Sequence, residues 1–151
     1  MGIYLDYNAT TPIHPEVLEA MVATYRENFG NAGSRTHVFG QKANQAVEDA
    51  REKIARLLGI DKREIIFTSG ATESNNLALF GLAEWGAKVG KKHIISSSIE
   101  HNSVLEPLRV LSRRGFDVEL VPASEDGRVD ADDVIGRVRS DTLLVSVMHA
   151  N

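Results

Sequence analysis

Apolar residues recur along this chain with two different periods. Val17, Leu18, Met21, Val22 and Tyr25 fall three or four apart behind Pro15, which predicts a helix that closes near Phe29 and Gly30. Phe39, Ala43, Ala46, Val47, Ala50, Ile54, Leu57 and Leu58 predict a longer helix capped by Gly59. From Glu64 onward the pattern changes. Short runs rich in β-branched residues predict strands over 65–68, 93–97, 118–121 and 143–147. Between them, helical spacing predicts helices over 72–89, 102–114 and 131–138. Strands alternating with helices imply right-handed crossovers and an α/β fold, a mostly parallel sheet flanked by helices.

Composition narrows the functional class. The chain has 151 residues, 42% apolar and 25% charged, which suits a soluble globular unit. A formal charge of −4 argues against a dedicated partner of nucleic acid or of an anionic membrane. No apolar run approaches the length of a membrane span. The first residues lack a basic stretch followed by a long apolar core, so no signal peptide is expected and the expected location is the cytoplasm. With no cysteine, the chain has no disulfide, no thiolate metal ligand and no cysteine nucleophile.

The polar loops carry the candidate chemistry. Ser69-Gly70-Ala71-Thr72 follows an expected strand and opens an expected helix. Such a helix start aims unpaired N–H groups and a partial positive charge at whatever lies in front of it. Thr72 adds a hydroxyl, and Gly70 allows close approach, so the stretch has the makings of a phosphate cup. It is neither a Walker loop nor a dinucleotide fingerprint, because the required lysine and glycines are absent. The plainer alternative is that Ser69 or Thr72 caps the helix. Two further strands end in Ser98-Ile99-Glu100-His101 and Met148-His149-Ala150-Asn151. In an open parallel sheet all three ends share one edge, where ligands bind. That edge would combine an anion cup, an imidazole and an amide.

Among the histidines, His14 and His93 read as surface and structural residues, His37 as a loop hydrogen-bonding group, and His149 as undirected. His101 stands apart, at a strand end just ahead of a helix, where an imidazole can stack on a ring or move a proton. No histidine pair or histidine–carboxylate set has the spacing of a zinc motif.

Five segments together carry a family resemblance: Tyr4-Leu5-Asp6-Tyr7-Asn8-Ala9-Thr10-Thr11-Pro12, Gly30-Asn31-Ala32-Gly33-Ser34-Arg35-Thr36-His37, Phe67-Thr68-Ser69-Gly70-Ala71-Thr72-Glu73-Ser74-Asn75-Asn76, Glu100-His101-Asn102-Ser103-Val104 and Val145-Ser146-Val147-Met148-His149-Ala150-Asn151. In this order they resemble the cysteine desulfurases, pyridoxal-phosphate enzymes of the nitrogen-fixation and iron–sulfur-cluster type. The resemblance implies an aspartate-aminotransferase-like fold of type I, here incomplete, and a homodimer. Residues 1–60 would be a helical segment packing on the large domain, and 61–151 the first part of that cofactor-binding domain. Ala71 and Thr72 match the positions that bind the phosphate of pyridoxal 5′-phosphate. His101 matches the histidine that stacks on the pyridine ring and assists proton transfer. Asn151 is a further cofactor-binding candidate, at the first position of an Asn-Asn motif.

The implied reaction takes sulfur from L-cysteine, giving L-alanine and an enzyme persulfide for a sulfur-acceptor protein. The match ends inside the Asn-Asn motif at Asn151. The Schiff-base lysine, the aspartate paired with the pyridine nitrogen, the nucleophilic cysteine and the substrate-carboxylate arginine have no counterpart here. An N-terminal portion, inactive and poorly folded alone, is therefore expected. A selenocysteine or cystine lyase of the same fold is one alternative, and a non-catalytic binding module is another.

Overall fold

The computed structural model describes residues 2–150. Two compact units are present, Met1–Phe67 and Thr68–Asn151.

In the first unit, α1 (Pro15–Glu27) starts at a proline whose fixed φ suits the first helical position. Glu16 and Arg26 sit at the ends that favour their charges. In α2 (Val38–Leu58), His37 Nδ1 accepts the Gly40 N–H at 3.0 Å, and Gly59 closes the helix in the left-handed region at φ 67. The loop between them lies against the start of α2 and needs two glycines. A Cβ on Gly30 would stand 2.1 Å from the Phe39 carbonyl oxygen, and one on Gly40 would stand 2.2 Å from that of Ser34. A capping box of Asp61 and Glu64 then forms a single 3-10 turn, Lys62–Glu64.

The strand expected over 65–68 is not formed. These residues are outside the ladders, and the Ile65 carbonyl accepts from the Arg51 guanidinium instead. The same guanidinium lies 4.9 Å from the centre of the Phe67 ring. An apolar β-branched run favours extended backbone, but a strand also needs a neighbour to pair with.

The second unit holds α3 (Ala71–Val89), β1 (His93–Ser97), α4 (Asn102–Arg113), β2 (Asp117–Val121), α5 (Ala131–Gly136) and β3 (Thr142–Ser146). The sheet has the order β2-β1-β3, with both pairings parallel. Central β1 is buried along its whole length, as expected for a strand covered on both faces. Its Ile94 packs with Leu79 and Ala83 of α3, with Val104, Leu108 and Leu111 of α4, and with Phe116. Apolar positions three or four apart on α3 and α4 supply this core. Gly86 lets α3 close on the sheet, since a Cβ there would stand 2.5 Å from the Lys91 carbonyl oxygen and 2.6 Å from Leu143 Cδ2. α5 stops at Gly136, short of the expected end. Arg137 follows it as the cap, its side chain drawn to Glu119 and Asp133.

Because β1 and β3 are parallel, their polar C-terminal ends lie on one edge of the sheet. The Ser69–Thr72 loop does not follow a strand of this sheet. It reaches the same region through α3 instead.

Candidate functional site

The first turn of α3 is open. The helix begins at Gly70, and no side chain caps it. Among the described residues, nothing accepts from the N–H groups of Ala71, Thr72 or Glu73, and the first bonded amide is Ser74, to the Gly70 carbonyl at 3.1 Å. Neither Ser69 nor Thr72 is a cap, contrary to the plainer alternative. The Glu73 side chain reaches back and accepts from the Ser69 N–H at 2.6 Å and the Ser69 hydroxyl at 2.8 Å. The backbone N–H of Ser69, with its hydroxyl second, holds the Glu73 carboxyl below its ordinary value. The Thr68 hydroxyl, 2.7 Å from that of Ser74, pins the loop from the other side.

Gly70 has extended backbone, φ 163 and ψ 178, which any residue can adopt. A Cβ there would have no protein atom within 4 Å. Neither the backbone nor a protein neighbour requires glycine at this point, and the space beside it is open. The Thr72 hydroxyl also lacks a protein partner among the described residues. Three free amides, one free hydroxyl and the positive end of a long helix form an anion cup.

Thr72 lines a groove of about 440 Å³ with Asn76, Phe80, His101 and Pro107. The groove is apolar along Phe80, Pro107 and Val110, and polar at Thr72 and His101. This combination suits a planar ring bearing a phosphate. His101 is exposed and caps α4, its Nδ1 accepting the Ser103 N–H at 3.0 Å.

Glu100, named in the sequence only as a neighbour of His101, has a definite position. It is 7% exposed, and its Oε1 accepts from the Ser97 hydroxyl and the Met148 N–H, both at 2.7 Å. One carboxylate thus ties the end of β1 to the segment after β3. His149 lies in a different hollow, with Ser97, Asp126 and Arg128. Asn151, the remaining candidate, lies outside the described residues.

The other histidines agree with their sequence assignments. His14 is exposed, and His37 bonds to Ser34 Oγ at 3.0 Å within its loop. His93 is fully buried between Thr142 Oγ1 at 2.8 Å and Glu119 Oε1 at 3.1 Å. With Asp117 and Glu119 it forms a cluster whose atoms are near enough to hold a metal ion. Sequence spacing did not show it, because the three residues come from two neighbouring strands. Arg139 pairs with Asp117 at 2.7 Å and Arg137 with Glu119 at 3.1 Å, so the carboxylates are already neutralised by cations.

The Aminotransferase class-V family pattern matches residues 3–151. Over 153 residues the chain is 53% identical to Cysteine desulfurase IscS of Azotobacter vinelandii, covering all of this chain and 38% of that protein. It is 49% identical to Cysteine desulfurase IscS of an Anaeromyxobacter species, strain Fw109-5, covering 99% of this chain and 37% of that protein. The chain therefore spans well under half the length of these curated relatives. A solved NifS-like protein superposes with a TM-score of 0.89 at 46% identity, over 100% of this chain and 41% of that one. DndA from Streptomyces lividans superposes with a TM-score of 0.84 at 49% identity, over 99% of this chain and 41% of that one. The parallel sheet flanked by helices thus matches part of the fold-type I architecture. The chain belongs to the class-V aminotransferase family, a family of pyridoxal-phosphate enzymes.

Proposed function

We propose that this chain is the N-terminal portion of a cysteine desulfurase. The complete enzyme takes sulfur from L-cysteine, releases L-alanine and keeps the sulfur as a persulfide on one of its own cysteines. A sulfur-acceptor protein then receives it. The observation that carries this reading is the uncapped start of α3 with its three free amides, beside a groove that also contains His101. About half of the residues are identical to those of proteins named cysteine desulfurase. L-cysteine as substrate draws support from SspA, 42% identical over 98% of this chain, whose solved structure is described as in complex with cysteine.

In this reading the N–H groups of Ala71, Thr72 and Glu73 and the Thr72 hydroxyl bind the phosphate of pyridoxal 5′-phosphate. They cancel part of its charge without a lysine or arginine. His101 would stack on the ring, and Phe80 and Pro107 would keep water from one side of the groove. Asn151, outside the described residues, is a further candidate for cofactor binding. The bound cofactor supplies the electron sink for bond breaking next to the amino group of the substrate. Glu100 holds the end of β1 and the segment after β3 together, beside His101.

The chain contains no cysteine, so the thiol that takes the sulfur is supplied by residues outside this sequence. So is the lysine that bonds to the cofactor aldehyde, and the 151 residues alone are expected to be inactive. The complete protein is proposed to be a cytoplasmic homodimer that engages neither membrane nor nucleic acid. The formal charge of −4 accords with the last point. Among the described residues no helix is long and apolar enough to cross a membrane.

The test is turnover. The protein that carries this chain, isolated from its source and supplied with L-cysteine and a thiol reductant, is expected to release alanine and sulfide in equal amounts. Protein that holds pyridoxal phosphate yet forms no alanine would overturn the proposal.

A further inference from the structure

The ring of His101 is held in one protonation pattern by residues that the proposed function leaves unassigned. The Ser103 backbone N–H donates to His101 Nδ1 at 3.0 Å, so that nitrogen carries no hydrogen. Ser103 Oγ lies 2.9 Å from the same Nδ1. With no hydrogen on the ring nitrogen, the hydroxyl must be the donor. The hydroxyl oxygen in turn accepts from Asn75 Nδ2 at 2.9 Å. The directions are consistent from α3 to α4, from the Asn75 amide to the Ser103 oxygen, and from the Ser103 hydroxyl to the imidazole. Ser103 is buried and Asn75 half-buried, whereas His101 is exposed at the groove. Water therefore has little access to the inner bonds, which is where such bonds hold best. A neutral imidazole has one N–H, and here it belongs to Nε2.

We infer that Asn75 and Ser103 are positioning residues that lock His101 as an Nε2–H donor. Locked in this way, His101 presents its Nε2–H to the groove. The identity of the group that His101 faces rests on the proposed function, but the lock itself does not.

The test labels the histidine rings with nitrogen-15 in the protein as isolated. Two-bond proton–nitrogen correlation spectra are recorded at a pH where the imidazoles are neutral, and His101→Gln assigns the resonance. The wild type is expected to show the Nε2–H pattern alone. Ser103→Ala removes the hydroxyl donor, and Asn75→Asp supplies an acceptor that draws the hydroxyl away from Nδ1. Both are expected to shift the Nδ1 resonance, since the backbone N–H remains but the hydroxyl donor is lost, and Ser103→Thr is expected to keep the wild-type pattern. An Nδ1–H pattern in the wild type, or a spectrum unchanged in both variants, would overturn the inference. A locked His101 in a protein that does not bind pyridoxal phosphate would support the lock while counting against the proposed function. A free His101 in an active desulfurase would overturn the lock alone.

Discussion

Replacing Ala71 with proline removes one N–H group from the anion cup and little else. Ala71 is the first residue of α3, where proline is favoured and its missing hydrogen breaks no helical bond. The preceding Gly70 is already extended, as the residue before a proline should be. The Ala71 side chain is exposed, so the proline ring has room. Stability should therefore stay within about 0.5 kcal/mol of wild type, as for a surface substitution. The phosphate, in contrast, loses one bond between an N–H group and a charged oxygen, worth about 1.5–3 kcal/mol. At roughly tenfold per 1.4 kcal/mol, the affinity for pyridoxal phosphate should fall about 10- to 150-fold. Spectroscopic titration with the cofactor measures the affinity. Urea unfolding followed through Trp85, the single tryptophan and part of α3, measures the fold in parallel. An affinity within about twofold of wild type, with an unchanged unfolding midpoint, would refute the claim that this helix start holds the phosphate.

Three other outcomes follow from the geometry. Glu100→Ala leaves the Ser97 hydroxyl and the Met148 N–H without an acceptor, and at about 1–3 kcal/mol for each orphaned donor it should cost about 2–6 kcal/mol in urea unfolding. A loss below about 0.5 kcal/mol would show that this carboxylate does not couple the two strand ends. Gly86→Ala drives a methyl group against the Lys91 carbonyl and Leu143 and should lower stability by about 1–3 kcal/mol in a thermal melt, whereas an unchanged melt would contradict the close approach of α3 to the sheet. The Glu73 carboxyl is held below its ordinary value of 4.5, so its bonds to Ser69 stabilise the loop above pH 4.5 and are lost as the pH falls through the lowered value. Exchange of the Ser69 amide should accelerate across that acid window in wild type beyond its intrinsic pH dependence, and Glu73→Gln should abolish this excess.

The helices were legible because their signals are local. Pro15, Gly59 and Gly115 bound them, and apolar residues three or four apart mark their inner faces. The three strands of the sheet were legible for the same reason. Residues 65–68 were not, because a β-branched run indicates extended backbone but not whether another strand lies beside it. The cup was half legible. The order of Gly70, Ala71 and Thr72 indicated a helix start, but whether Ser69 capped it depended on Glu73 turning back, which is a matter of side-chain geometry. Glu100 with Met148 and Asn75 with Ser103 are contacts across 48 and 28 residues, and no periodicity encodes them. His101 was picked out by its place at the end of a strand and ahead of a helix, and the structure puts it in the groove with Thr72.

Hydrogen exchange of the protein with and without pyridoxal phosphate bears most directly on the cup and ring groove. The amides of Ala71, Thr72 and Glu73 have no acceptor among the described residues and should exchange rapidly when the cofactor is absent. Adding the cofactor should slow exchange in peptides covering 69–76 and 99–105 together. Pyridoxal without its phosphate should protect the first of these far less. Protection confined to other segments, or equal protection by both compounds at residues 71–73, would contradict the assignment of the start of α3 as the phosphate site.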